Sequence, residues 1–179
     1  MESAPENKTG IWLRNGIVAL ASVLIAVLVF FAARNQAPTM QQLAAEAVPL
    51  DEALANGKPT LVEFYADWCA SCQTMAPTVA RLKERYGEQA NFVMLNVDNP
   101  RWLPELQQYK VSGIPHYAFL DAAARPLGSA IGLQPSQILE DNLTALAAGA
   151  ETLPKAGAPA GQTSKFTPPK KVDQPRDHS

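Results

Sequence analysis

The sequence predicts an α/β fold, a mixed central sheet flanked by helices, preceded by one helix long enough to cross a membrane. Two observations carry this. Between residues 49 and 148, compact apolar runs alternate with helical patterns, and the last two runs are joined by a tight turn, so the sheet must mix strand directions. Upstream, residues 16–33 are eighteen consecutive positions without a charge, and all but Gly16 and Ser22 are Ala, Val, Leu, Ile or Phe.

As a helix the apolar run is about 27 Å long at roughly 1.5 Å per residue, close to the hydrocarbon thickness of a bilayer. A buried core helix would keep some polar face. A cleaved signal peptide would have a core of about 7 to 15 residues and a small-x-small cleavage site. Here Phe30 and Phe31 occupy the −3 positions, so an uncleaved signal anchor over residues 16–34 fits better. Lys8 and Arg14 precede the span and only Arg34 immediately follows it, which predicts a cytoplasmic or stromal N-terminus (residues 1–15) and a translocated C-terminal part.

Residues 35–48 are polar and alanine-rich and read as a short spacer or helical stalk, with the folded domain over 49–148. PLDEALANGK predicts a short helix ending before Gly57, and TLVEFY (residues 60–65) a buried strand. A turn with Cys69 and Cys72 opens a helix to Tyr86, interrupted by Pro77 and stopped by Gly87. Residues 91–97 form the second strand candidate, DNP opens a short helix through Tyr109, and residues 116–121 and 127–132 form two strands about a turn at Arg125 and Pro126. A last helix starts at Pro135 and finishes before Gly149. Residues 149–179 contain five prolines and read as a flexible tail.

Charge excludes one class of partner. Over 179 residues, 15 Lys and Arg face 17 Asp and Glu, a balance without the basic excess of a nucleic-acid binder. The domain carries −4 and the tail +2. Two cysteines cannot staple a small secreted scaffold, so their placement must be read for chemistry.

Cys69, Ala70, Ser71 and Cys72 follow a strand and open a helix, the redox arrangement of a CxxC pair. An attacking sulfur must be a thiolate, and a helix N-terminus stabilises that anion. The spacing then lets the second sulfur resolve the mixed disulfide formed by the first. Cys69, nearer the helix start and expected to be more exposed, should attack, and Cys72 should resolve. Two other uses are open. Half a zinc site would need further ligands, and the only histidines are His116 and His178. A static disulfide across so short a loop would contribute little stability.

FYADWCASC, Pro77 and VSGIPHYAFLD together resemble a thioredoxin-fold domain over residues 49–148. YADWC with its second cysteine, LNVDN with Trp102 three residues beyond, GIPHYAFLD and the LAAG ending resemble the membrane-anchored thioredoxin-like proteins of cyanobacteria and chloroplast thylakoids. The resemblance implies that Trp68 rims the redox pair and contacts partners, that Pro115 is a cis-proline against the disulfide, and that the backbone of Ile114 pairs with a target chain. It places on Glu63 the buried acid that moves the resolving thiol's proton. Ala70 and Ser71 stand where typical members have Gly-Pro, and Met94 where a lysine near the acid is usual, so the Glu63 pKa should lie high. His116 either tunes the thiolate and shapes the docking face or is only a polar strand residue. Trp102 and Tyr109 have the spacing of packing residues.

The implied function is a membrane-tethered thiol:disulfide oxidoreductase, without cofactor or metal, whose domain lies in the thylakoid lumen or the periplasm. Implied partners are disulfide-containing targets, including apocytochromes for cytochrome b6f assembly, and a CcdA-type transmembrane electron donor. A disulfide oxidant or isomerase is the competing enzyme class, and a chaperone-like assembly factor the non-catalytic one.

Overall fold

The computed structural model describes residues 8–34, 37–155 and 161–165. The chain divides into two units, Met1–Ala37 and Pro38–Ser179. The first contains helix α1, Lys8–Arg34. Its stretch Trp12–Phe31 has a mean hydropathy of 2.2 and no buried residue, and among the described helices it alone is long and apolar enough to cross a membrane. The one hydroxyl inside that stretch, Ser22, donates to the Val18 carbonyl at 2.8 Å and is satisfied within the helix.

The second unit begins earlier than the sequence predicts. Residues 35–48 read as a spacer or helical stalk, and Met40–Ala45 is a helix, α2, but Met40 and Leu43 lie in the core. Thr39 and Gln42 form a reciprocal capping box, which fixes the helix start next to Pro38. The alanine-rich composition hid two apolar residues spaced i, i+3, enough to bury one face of a short helix.

Helix α3 (Leu50–Ala55) leads to strand β1 (Thr60–Tyr65), in which every residue is buried. Helix α4 (Ala70–Tyr86) continues through Pro77. Strand β2 (Asn91–Asn96), a 3-10 turn at Pro100–Trp102 and helix α5 (Leu103–Gln108) follow. A two-residue strand β3 (Gly113–Ile114) precedes β4 (His116–Leu120), β5 (Pro126–Ile131) and helix α6 (Ser136–Ala147). Pro135, expected as the first helical residue, is instead the N-cap of α6.

The main sheet has the order β2-β1-β4-β5, with β1 parallel to β2 and antiparallel to β4, and β4 antiparallel to β5. This is the mixed sheet that the strand order and terminal hairpin predict. Phe64, Phe119, Leu61, Leu95 and Leu139 are fully buried around it. Trp102 and Tyr109 pack against this core, as their spacing predicts. Asn91 bonds reciprocally with Asn56 and reaches Thr60 and the Ala53 carbonyl, tying α3 to the start of β1 and β2.

The tail departs from its expected flexibility in its described part. Leu153 is buried, the Lys155 amide donates to Asn142 Oδ1 at 3.0 Å, and Ser164–Lys165 forms strand β6, antiparallel to β3. Residues 156–160 and 166–179, including His178, lie outside the described residues.

Candidate active site

Strand β1 positions the site because its six apolar-flanked residues are held on both sides by hydrogen-bonded neighbours. Phe64 pairs with His116, so Pro115 falls level with the end of β1, where the chain leaves for Cys69. The register therefore brings the redox turn and the segment before β4 to one end of the sheet. The Ile114-Pro115 bond is cis, as the resemblance implies, and the Pro115 carbonyl accepts from Gly132 at 2.7 Å.

Cys69 and Cys72 are joined as a disulfide with Cα atoms 5.2 Å apart. Cys69 is the N-cap of α4, and its sulfur accepts from the Cys72 amide at 3.1 Å. No acidic residue lies in the first turn of this 17-residue helix. A thiolate at Cys69 would thus keep a backbone donor and the positive end of the helix dipole, both of which favour the ionised form. Gln73 Nε2 donates to the Asp67 carbonyl at 2.7 Å and fastens the turn to the helix.

One expectation about the pair fails. Cys69 is as fully enclosed as Cys72, although its neighbours Asp67, Trp68 and Ala70 are exposed. The disulfide ties the Cys69 sulfur down over the first helical turn, where it caps the Cys72 amide instead of projecting into solvent.

Trp68 is half exposed, with its indole held by a 2.8 Å bond to Asp98 Oδ2 beyond the end of β2. Asp98 was not singled out from sequence; the DN turn after a strand was the only signal, and it reads equally as a helix start.

Glu63 is buried inside the sheet, opposite Met94 on β2 and Tyr117 on β4. Loss of solvation pushes its pKa up to about 8. The Tyr117 hydroxyl pulls the value part-way back, but the two groups fall short of hydrogen-bond geometry, and both carboxyl oxygens and the hydroxyl lack a partner. The apolar Met94 in the register position opposite the acid accords with the high pKa that the sequence predicts. Tyr117 escaped the sequence reading because an aromatic in a buried strand is ordinarily packing.

His116 is buried with its ring edge-on to Phe64 at 5.7 Å, and desolvation lowers its pKa to about 4. Its cross-strand partners, Phe64 and Ile131, alternate with those of Tyr117, so it sits on the face of the strands opposite Glu63. With Tyr109 and Lys110 it lines a cleft of about 280 Å³. The imidazole is thus enclosed and neutral at pH 7, with its Nδ1 unpartnered.

A disulfide that caps a helix, set at the same end of a mixed sheet as a cis-proline, defines a thiol:disulfide oxidoreductase. Residues 39–145 match the Thioredoxin family. The chain is 48% identical over 154 residues to a protein of Synechocystis named thiol:disulfide interchange protein TxlA homolog, covering 85% of this chain and 84% of that one. It is 42% identical over 174 residues to thiol:disulfide interchange protein TxlA of Synechococcus elongatus, covering 93% and 90%. It is 45% identical over 164 residues to thioredoxin-like protein HCF164, chloroplastic, of Arabidopsis thaliana, covering 91% of this chain and 62% of that longer one. The chain belongs to the thioredoxin family.

Proposed function

We propose that this oxidoreductase is a reductant tethered to a thylakoid or plasma membrane by α1, with its catalytic unit on the lumenal or periplasmic side. The observation that carries the catalytic part is the Cys69 sulfur capping α4 while bonded to Cys72. The basic residues Lys8 and Arg14 before the span support the orientation.

In the reduced state the Cys69 thiolate attacks one sulfur of a target disulfide, forms a mixed disulfide and expels the other target sulfur as a thiolate. Cys72 passes its proton to ionised Glu63 and attacks the Cys69 sulfur, which releases the second target sulfur. The target gains two electrons and the pair returns to the disulfide. Glu63, at about 8, is close to the ordinary thiol value of about 8.5, so the proton moves with little penalty in either direction. A CcdA-type transmembrane dithiol donor supplies the two electrons that restore the pair, with protonated Glu63 returning the proton to Cys72.

The target chain lies along the backbone of Ile114 and against Trp68, whose exposed indole suits a partner contact. Apocytochromes awaiting haem attachment for cytochrome b6f are the proposed targets. The direction is tested by equilibrating the full chain in detergent with glutathione. A potential near that of thioredoxin, about −270 mV, supports the reductant; one near that of a strong oxidant, about −120 mV, overturns it.

A further inference from the structure

Residues 161–165 lie back across the same end of the sheet that presents the cis-proline. In strand β6, Ser164 stands opposite Ile114 and Lys165 opposite Gly113. Just before it, the Gly161 amide donates to the Ile131 carbonyl, and the Leu133 amide donates to the Gln162 carbonyl, both at 2.8 Å. The segment is therefore held at two places, the loop after β5 and the strand before Pro115, by main-chain contacts that any extended chain can make.

Three glycines allow this approach. A Cβ on Gly161 would fall 1.6 Å from the Leu133 carbonyl oxygen, and one on Gly132, whose φ is +81°, would fall 2.5 Å from the Gly161 carbonyl oxygen. A Cβ on Gly113 would meet that of Thr163 at 3.2 Å. The fit is between backbones, and within the segment it requires glycine at 161.

We propose that residues 161–165 are a resident strand in the target-docking edge of this domain, which a disulfide-bearing segment must displace before it reaches Cys69. The proposal rests on the reading that target chains pair with Ile114. Tail and target then compete for one backbone, because a strand edge accepts one neighbour. Only five residues separate Gly161 from Lys155, whose amide is fixed to Asn142. So short a connection gives the segment an effective concentration on the order of millimolar, and a weak contact suffices to fill the edge. The partner that fits is an extended peptide flanking a disulfide.

Gly161→Val in the full chain, in detergent, tests this, since its side chain cannot coexist with the Leu133 carbonyl. The first readout is independent of redox chemistry: the Leu133 amide, protected in the native chain, should exchange at least about tenfold faster in the variant. The second is reduction of insulin, where the KM should fall about threefold or more with kcat unchanged. A chain ending at Lys155 should match the variant, and a GQTSK peptide at millimolar concentration should raise its KM again. Unchanged Leu133 exchange overturns the resident strand. Faster exchange with an unchanged KM overturns the competition while leaving the oxidoreductase intact. If no chain reduces insulin, the reductant reading fails, and exchange alone still decides whether the strand is held.

Discussion

Glu63 on β1 and Tyr117 on β4 face each other in register inside the sheet, and neither completes a hydrogen bond with the other. This setting raises the acid's pKa to about 8, so at pH 7 it is mostly neutral with roughly a tenth ionised to take the Cys72 proton, and its pH signature follows from that.

The acid proton is held in the folded state and lost in the unfolded state between pH 4.5, its ordinary value, and about 8. Stability is full below that window and falls as pH rises through it. Glu63→Gln should remove this slope and stabilise the oxidised protein at pH 7 by roughly 3 kcal/mol, at about 1.4 kcal/mol per pH unit. Urea unfolding from pH 5 to 8 checks it. The same variant should slow resolution of a mixed disulfide about a hundredfold, the ordinary scale of lost acid–base assistance.

His116 has the opposite sign. Its folded pKa is lowered from 6.5 to about 4, so its contribution is present above 6.5 and is lost as pH falls through 4. His116→Gln should flatten the acid limb between pH 6.5 and 4 in the same unfolding series, while insulin reduction at pH 7 changes less than about twofold, since the ring sits on the face away from Glu63.

Trp68 is held by Asp98 but is half exposed, so the bond sets orientation more than stability. Asp98→Ala should cost less than about 1 kcal/mol in unfolding. It should raise the KM for insulin several-fold, as loosening of a contact aromatic does, with the Trp68 emission shifted.

Helix α2 belongs to the catalytic unit, since Leu43 is buried in its core. Leu43→Ala should destabilise that unit by about 2 to 5 kcal/mol, as deletion of a core leucine does. A loss below about 0.5 kcal/mol would mean that residues 38–48 are a spacer after all.

Much of this was legible in the chain. The strands β1, β2 and β4 announced themselves as apolar runs between turn residues, because strands covered on both faces demand such runs, while the half-exposed β5 was marked by the turn at Arg125 and Pro126. The CxxC at a strand-to-helix turn and the Ile-Pro before β4 marked the site, because few residues serve that chemistry. What stayed hidden depends on long-range pairing. Tyr117 meets Glu63 only through the register of β1 and β4, and Asp98 meets Trp68 across 30 residues. Strand β6 lies in a polar, proline-rich segment with no apolar pattern, since its pairing with β3 runs through backbone and glycines alone. The enclosure of Cys69 follows from the disulfide state, which the sequence does not specify.

The most direct measurement is the fate of the two single-cysteine variants with insulin as substrate. Cys69→Ser should abolish reduction and form no mixed disulfide, and Cys72→Ser should accumulate a mixed disulfide through Cys69, seen as a thiol-sensitive band on a non-reducing gel. Equal residual activity in both variants, or trapping through Cys72, would contradict the assignment of Cys69 as the attacking sulfur.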